Sequence, residues 1–113
     1  MGLFLSVNDH SFEGEVLQSS LPVLVEFCAE WCGPCKQIEP LLEQLSAEWQ
    51  GQVRLVKVDV DQSVDTTLRY QVMSLPTVVL FVNGEARQRV SGKQPRNRLV
   101  EKFSPFIQPQ LQA

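Results

Sequence analysis

Two thiols separated by two residues stand in the segment Trp31-Cys32-Gly33-Pro34-Cys35-Lys36. That spacing suits reversible disulfide formation. The pair falls where an apolar run ends and a helical pattern begins. Unpaired backbone N–H groups and the helix dipole favour an anion there. Cys32 is therefore expected to carry increased thiolate character and to act as a nucleophile. Cys35, one turn further in, is expected to be more buried and to stay protonated until needed. Exchange would run in two steps: Cys32 attacks a substrate disulfide, and Cys35 then attacks the mixed disulfide to release reduced product. Two blander readings stand beside this one. A structural zinc site needs about four ligands, and only Cys28 and the distant His10 could supplement the pair. Two inert structural cysteines would also fit the count, though poorly beside a Gly-Pro helix entrance.

Glu26 and Cys28 lie just upstream. Glu26 alone interrupts the apolar run Pro22–Ala29. A carboxylate in such a strand is expected to have its pKa raised by desolvation, which suits a general base for Cys35. The alternative is a glutamate that escapes to a sheet edge. Cys28 reads as a small apolar filler. The strand end and the helix start point their side chains differently, so it is expected to form no disulfide with Cys32 or Cys35. Three cysteines clustered within eight residues are not the framework of a disulfide-stapled secreted domain.

The elements that must hold these residues alternate strand and helix. Leu3–Val7 reads as a short strand. Asn8 or Asp9 can cap a helix over about Asp9–Gln18, with Phe12, Val16 and Leu17 inward. Pro22–Ala29 reads as a central strand covered on both faces. Ile38, Leu41, Leu42, Leu45 and Trp49 make one face of a helix over about Cys32–Trp49, with a kink expected at Pro40. Val53–Val60 is the next strand, with Val53, Leu55 and Val58 expected to be buried, and Ser63–Tyr70 suits a short helix. Thr77–Val82 and Glu85–Val90 flank Asn83-Gly84, a hairpin signal. Pro95 opens a last helix whose apolar face is Leu99, Val100, Phe103 and Phe106. Pro105 is expected to kink or fray it, and the tail Gln108–Ala113 to be mobile. The order βαβαβαββα predicts parallel strands first, an antiparallel hairpin last, and helices on both faces of an α/β sandwich.

At 113 residues and 43% hydrophobic content, the chain suits one domain, residues 1–113, with a core of its own. No stretch approaches the ~20 apolar residues of a transmembrane helix. The first residues have neither a basic region nor a long apolar run, so no signal peptide is read there. A net charge of −3 argues against nucleic acid as a partner. Charge is uneven: residues 1–50 carry eight acidic side chains and one basic, and residues 51–113 carry nine basic and five acidic. Six of the basic residues fall in Arg87–Lys102. That segment is either a solvated face or a docking patch for an acidic partner.

The stretch Phe27-Cys28-Ala29-Glu30-Trp31-Cys32-Gly33-Pro34-Cys35-Lys36 resembles the active-site segment of the thioredoxin family. The likeness continues through Pro40, Val58-Asp59-Val60-Asp61, Leu75-Pro76-Thr77, Phe81-Val82-Asn83-Gly84-Glu85 and Gly92. It implies the thioredoxin fold, a central mixed five-stranded sheet flanked by four helices. It also implies disulfide reduction in client proteins with no bound cofactor, only the redox-active pair Cys32 and Cys35. Re-reduction would come from a thioredoxin reductase, either an NADPH-dependent flavoprotein or a ferredoxin-dependent enzyme. A monomer in the cytoplasm, away from membranes, is the matching expectation. By the same resemblance Pro76 is a cis-proline facing the dithiol, and the Leu75 backbone is free to pair with an extended substrate segment. Trp31, Gly33, Pro34, Leu75 and Gly92 would form the docking surface. Glu26 replaces the family's buried aspartate, which relays the proton of the second cysteine, and Cys28 replaces an aromatic residue. Lys57 matches a lysine near that carboxylate and could be its charge partner; exposure at the surface is the other reading. A docking module that uses the fold without turnover is the rival function.

Overall fold

The computed structural model describes residues 3–107, so the tail Gln108–Ala113 lies outside the described residues. Five strands, β1 (Leu5–Val7), β2 (Val23–Cys28), β3 (Arg54–Asp59), β4 (Thr77–Val82) and β5 (Glu85–Ser91), form one sheet in the order β1-β3-β2-β4-β5. The strand β2 is central, as its near-continuous apolar run predicts, and every residue in it, Glu26 included, is buried. It pairs parallel with β3 and antiparallel with β4, while β1 pairs parallel with β3 and β5 antiparallel with β4. At the β4–β5 hairpin Asn83 and Gly84 both have positive φ, 52° and 82°, as a tight turn of this hand requires. A Cβ on Gly84 would stand 2.9 Å from the Leu17 carbonyl oxygen, so glycine is also required for space.

Alternation of side chains along the strands divides the core in two. On one face Leu24, Leu55, Val78 and Leu80 pack with Ile38, Leu42, Leu45 and Trp49 of helix α1 (Gly33–Glu48) and its C-cap. Leu99, Phe103 and Ile107 of helix α3 (Arg96–Ile107) join them. On the other face Val23, Val25, Phe27, Val56, Val58 and Phe81 pack with Phe12, Val16 and Tyr70. Helix α2 (Val64–Arg69) precedes Tyr70. The same alternation puts Glu26 and Cys28 on the α1 face with Leu24, and Lys57 and Asp59 there with Leu55. Strand parity thus places these four side chains on the α1 side of the sheet. Both α1 and α3 continue as helix across their internal prolines, Pro40 and Pro105. No helix among the described residues is long and apolar enough to cross a membrane.

One element departs from expectation. Of the helix read over Asp9–Gln18, only a single π-helical segment, Glu13–Leu17, follows Phe12. Asn8 caps the start of this segment, its Oδ1 accepting the backbone N–H groups of His10 (2.9 Å) and Ser11 (3.1 Å) and its carbonyl that of Phe12 (2.9 Å). Asp9 does cap a helix, but a different one. Its carboxylate accepts the N–H groups of Asp65 and Thr66 and the Thr66 hydroxyl, at the N-terminus of α2. The Thr66 hydroxyl and N–H hold the Asp9 carboxyl below its ordinary range.

Candidate active site

Cys32 and Cys35 are joined as a disulfide with their Cα atoms 5.4 Å apart. Cys32 is the N-cap of α1, and its sulfur accepts the Cys35 backbone N–H at 3.2 Å. That bond and the helix N-terminus behind it stabilise negative charge on the Cys32 sulfur once the disulfide opens. Cys35 is fully buried at the first turn of α1. Cys32, though largely covered, lines a groove of about 470 Å³ with Trp31, Gly33, Pro34 and Leu75. The two thiols are therefore unequal in access, as their positions predict.

Trp31 is 72% exposed, and its indole N–H donates to Asp61 at 2.9 Å. The bond fixes the ring as one wall of the groove. The Leu75–Pro76 peptide bond is cis, and Pro76 is buried. Gly92, expected on the docking surface, is tied to the cis-proline by a 2.7 Å hydrogen bond from its N–H to the Pro76 carbonyl. Val60, Val72 and Met73 complete the apolar lining and escaped the sequence reading. Met73 is 93% exposed, a conspicuous position for an unbranched apolar side chain.

Glu26 is fully buried, and neither of its carboxyl oxygens receives a hydrogen bond from a donor; its polar neighbour is the Glu39 carboxylate. Burial, reinforced by repulsion from Glu39, pushes its pKa up to about 9. Lys57 is the cross-strand neighbour of Glu26 in the β2–β3 register. Its ammonium nevertheless pairs with Glu39, at 3.1 Å, and lies over the Phe4 ring. The half-exposed side chain has room to choose, and a charged, partly solvated Glu39 attracts it more than a buried, protonated Glu26. Sequence reasoning missed Glu39. Its signal was available: it stands four residues after Cys35 and so shares that residue's helix face.

Cys28 is buried, and its thiol donates a long hydrogen bond, 3.6 Å, to the Val58 carbonyl. Burial first, then the nearby Glu26 carboxylate, pushes its pKa up to about 12. It packs in one cluster with Ala29, Cys32 and Cys35 but remains a free thiol. Mass mapping of the air-oxidised protein should find one disulfide, Cys32–Cys35, and one unmodified cysteine. Cys28→Ser should retain disulfide reduction and lose about 1 kcal/mol of stability, as a hydroxyl enters an apolar site. Ready oxidation of Cys28 would instead make it a third working thiol.

The basic stretch Arg87–Lys102 is less free than its charge suggests. Arg96 pairs with Glu48, Arg89 donates to the carbonyls of Tyr70 and Gln71, and Arg87 lies over the Phe106 ring.

Comparison with known proteins agrees with this geometry. The thioredoxin family model matches residues 4–104. The chain is 46% identical over 102 residues to a thioredoxin of Rickettsia conorii, covering 90% of this chain and 97% of that one. It is 42% identical over 101 residues to a chloroplastic M-type thioredoxin of Pisum sativum, covering 89% of this chain and 59% of the relative. A second chloroplastic M-type thioredoxin, from Spinacia oleracea, is 37% identical over 103 residues, 91% of this chain and 57% of the relative.

Proposed function

This chain belongs to the thioredoxin family and is a thiol-disulfide oxidoreductase, and from that premise we propose how its residues divide the work. A client presents an extended, disulfide-bearing segment to the groove between Trp31 and Leu75, where the backbone of Leu75 can pair with it. The Cys32 thiolate attacks one client sulfur, forming a mixed disulfide and releasing the other client sulfur as a thiolate. Cys35 then loses its proton and attacks the Cys32 sulfur. The Cys32–Cys35 disulfide forms, and the second client thiolate leaves.

Glu26 takes the proton of Cys35. The observation that carries this role is its burial on the α1 face, with an acidity near that of a thiol. A base and an acid of similar pKa exchange a proton with little driving force lost in either direction. In the disulfide state the raised pKa keeps Glu26 protonated at neutral pH, the state a base occupies after accepting that proton. Lys57 acts one step removed, holding Glu39 and moderating the field at Glu26.

The pair is returned to the dithiol by a thioredoxin reductase, whose electrons come from NADPH or ferredoxin, and the cycle uses no bound cofactor. We place the protein in a reducing compartment such as the cytoplasm, as a monomer. Insulin reduction with dithiothreitol tests the function directly, since a docking module without turnover leaves insulin unreduced. With Arg87, Arg89 and Arg96 engaged inside the molecule, the basic segment is a solvated face. Association with the reductase should therefore change little as ionic strength rises. A steep decline in the association rate would assign the segment to docking instead.

A further inference from the structure

We propose that Glu26, Cys28 and Glu39 form a binding site for one zinc-type divalent cation, separate from the Cys32–Cys35 dithiol. Their ligand atoms, two carboxylate oxygens and a sulfur, lie within 4.8 Å of one another. Three groups meeting in this way would mean little without a second observation, and Glu26 supplies it. Its carboxyl is fully buried and neither oxygen receives a hydrogen bond from any donor outside the cluster, in the position where a ligand would satisfy it. Cys28 and Glu39 also open onto a cleft of about 480 Å³ between β3 and α1, which gives a cation a route in and leaves room for a completing water. Ser63, whose buried hydroxyl is likewise unpartnered, lines the same cleft.

The donor set selects the metal. One thiolate with two carboxylates suits borderline-soft zinc, whereas magnesium and calcium take oxygen alone. Tetrahedral zinc bonds place neighbouring ligand atoms about 3.5 Å apart, so the three donors need close by only about 1 Å. Glu39 is half-buried and on a helix face, and rotation of its side chain supplies that movement. Charge balances as well. Zinc enters as the protons of the Cys28 thiol and the Glu26 carboxyl leave, so the net charge of the cluster, Lys57 included, is unchanged. Lys57 competes for Glu39 and is the group a cation must share it with. An occupied site holds Glu26 as a ligand and would slow the second exchange step. That last consequence, unlike the site itself, rests on the base role proposed above.

The test titrates the oxidised full-length protein with Co²⁺, so that Cys32 and Cys35 are tied up in their disulfide and only Cys28 can give a thiolate–cobalt absorption. The expected result is one Co²⁺ per chain with that absorption, abolished by one equivalent of Zn²⁺. Cys28→Ser should lose the absorption, Glu39→Gln should weaken binding about tenfold or more, and Lys57→Met should tighten it by removing a competing cation. Binding without a thiolate signal, or affinities unmoved by both Glu39→Gln and Lys57→Met, would overturn the site. The last two variants alter half-exposed side chains, so the outcome does not hang on the folding of Cys28→Ser. Zinc that binds with the full signature yet leaves the second exchange step unchanged would remove the base role of Glu26 and leave the site standing.

Discussion

Cys35→Ser is expected to halt the protein on its client as a mixed disulfide, whereas Cys32→Ser is expected to reduce disulfide turnover to background. The asymmetry follows from position. Cys32 caps α1 at the groove, where the Cys35 N–H and the helix N-terminus stabilise its thiolate. Cys35 is fully buried and bonded to the sulfur of Cys32, out of direct reach of a client. Without the second thiol the first step still proceeds, but nothing resolves its product. Non-reducing electrophoresis should show Cys35→Ser captured on client proteins and released by dithiothreitol, with no such species for Cys32→Ser. In the reduced wild type, alkylation at neutral pH should label Cys32 first. Faster labelling of Cys35 would reverse the two roles.

Glu26→Gln should slow the second exchange step by about 100-fold or more, the usual contribution of a positioned general base, and leave the first step near its wild-type rate. The same change should alter stability in a pH-dependent way whose sign is determined. In the unfolded chain Glu26 ionises near 4.5, while in the folded protein it holds its proton to about 9. Between those values the folded state binds more protons than the unfolded state, so stability falls as pH rises, by at most about 1.4 kcal/mol per pH unit from this group. Below pH 4.5 the carboxyl is neutral in both states and imposes no such loss. Glutamine has no proton to lose. The variant should match the wild type in denaturant melts at pH 4 to 5 and exceed it increasingly toward pH 9. A parallel pH dependence in the two proteins would show that Glu26 is not the group responsible. Rapid-mixing traces in which the second step is unchanged from pH 6 to 9 would remove its role as base.

The comparison of Glu39 with Glu26 shows where sequence reading stops. The near-continuous apolar run Pro22–Ala29 is enough to derive a central strand covered on both faces. The strand read over Val53–Val60 points Val53, Leu55 and Val58 to burial, as found. Hydrophobic spacing from Ile38 to Trp49 determines the inner face of α1, and Asn83-Gly84 determines the hairpin. Cys32 and Cys35 are legible for the same reason: their chemistry depends on a spacing of three residues and on a helix start, both local properties.

Only the tertiary structure decided which partner each polar group takes. Lys57 had two carboxylates in reach, and its choice of Glu39 depends on how far each is buried, a property of the whole packed layer. Asp9 had two helix starts in reach, and it caps the one that begins at Val64, more than fifty residues away, because the fold brings that N-terminus beside it. The walls contributed by Val60, Val72 and Met73 belong to the groove by the same kind of accident of approach. Periodicity is written in neighbouring residues and survives in a one-dimensional reading. Desolvation and long-range pairing exist only once distant segments have excluded water from the space between them.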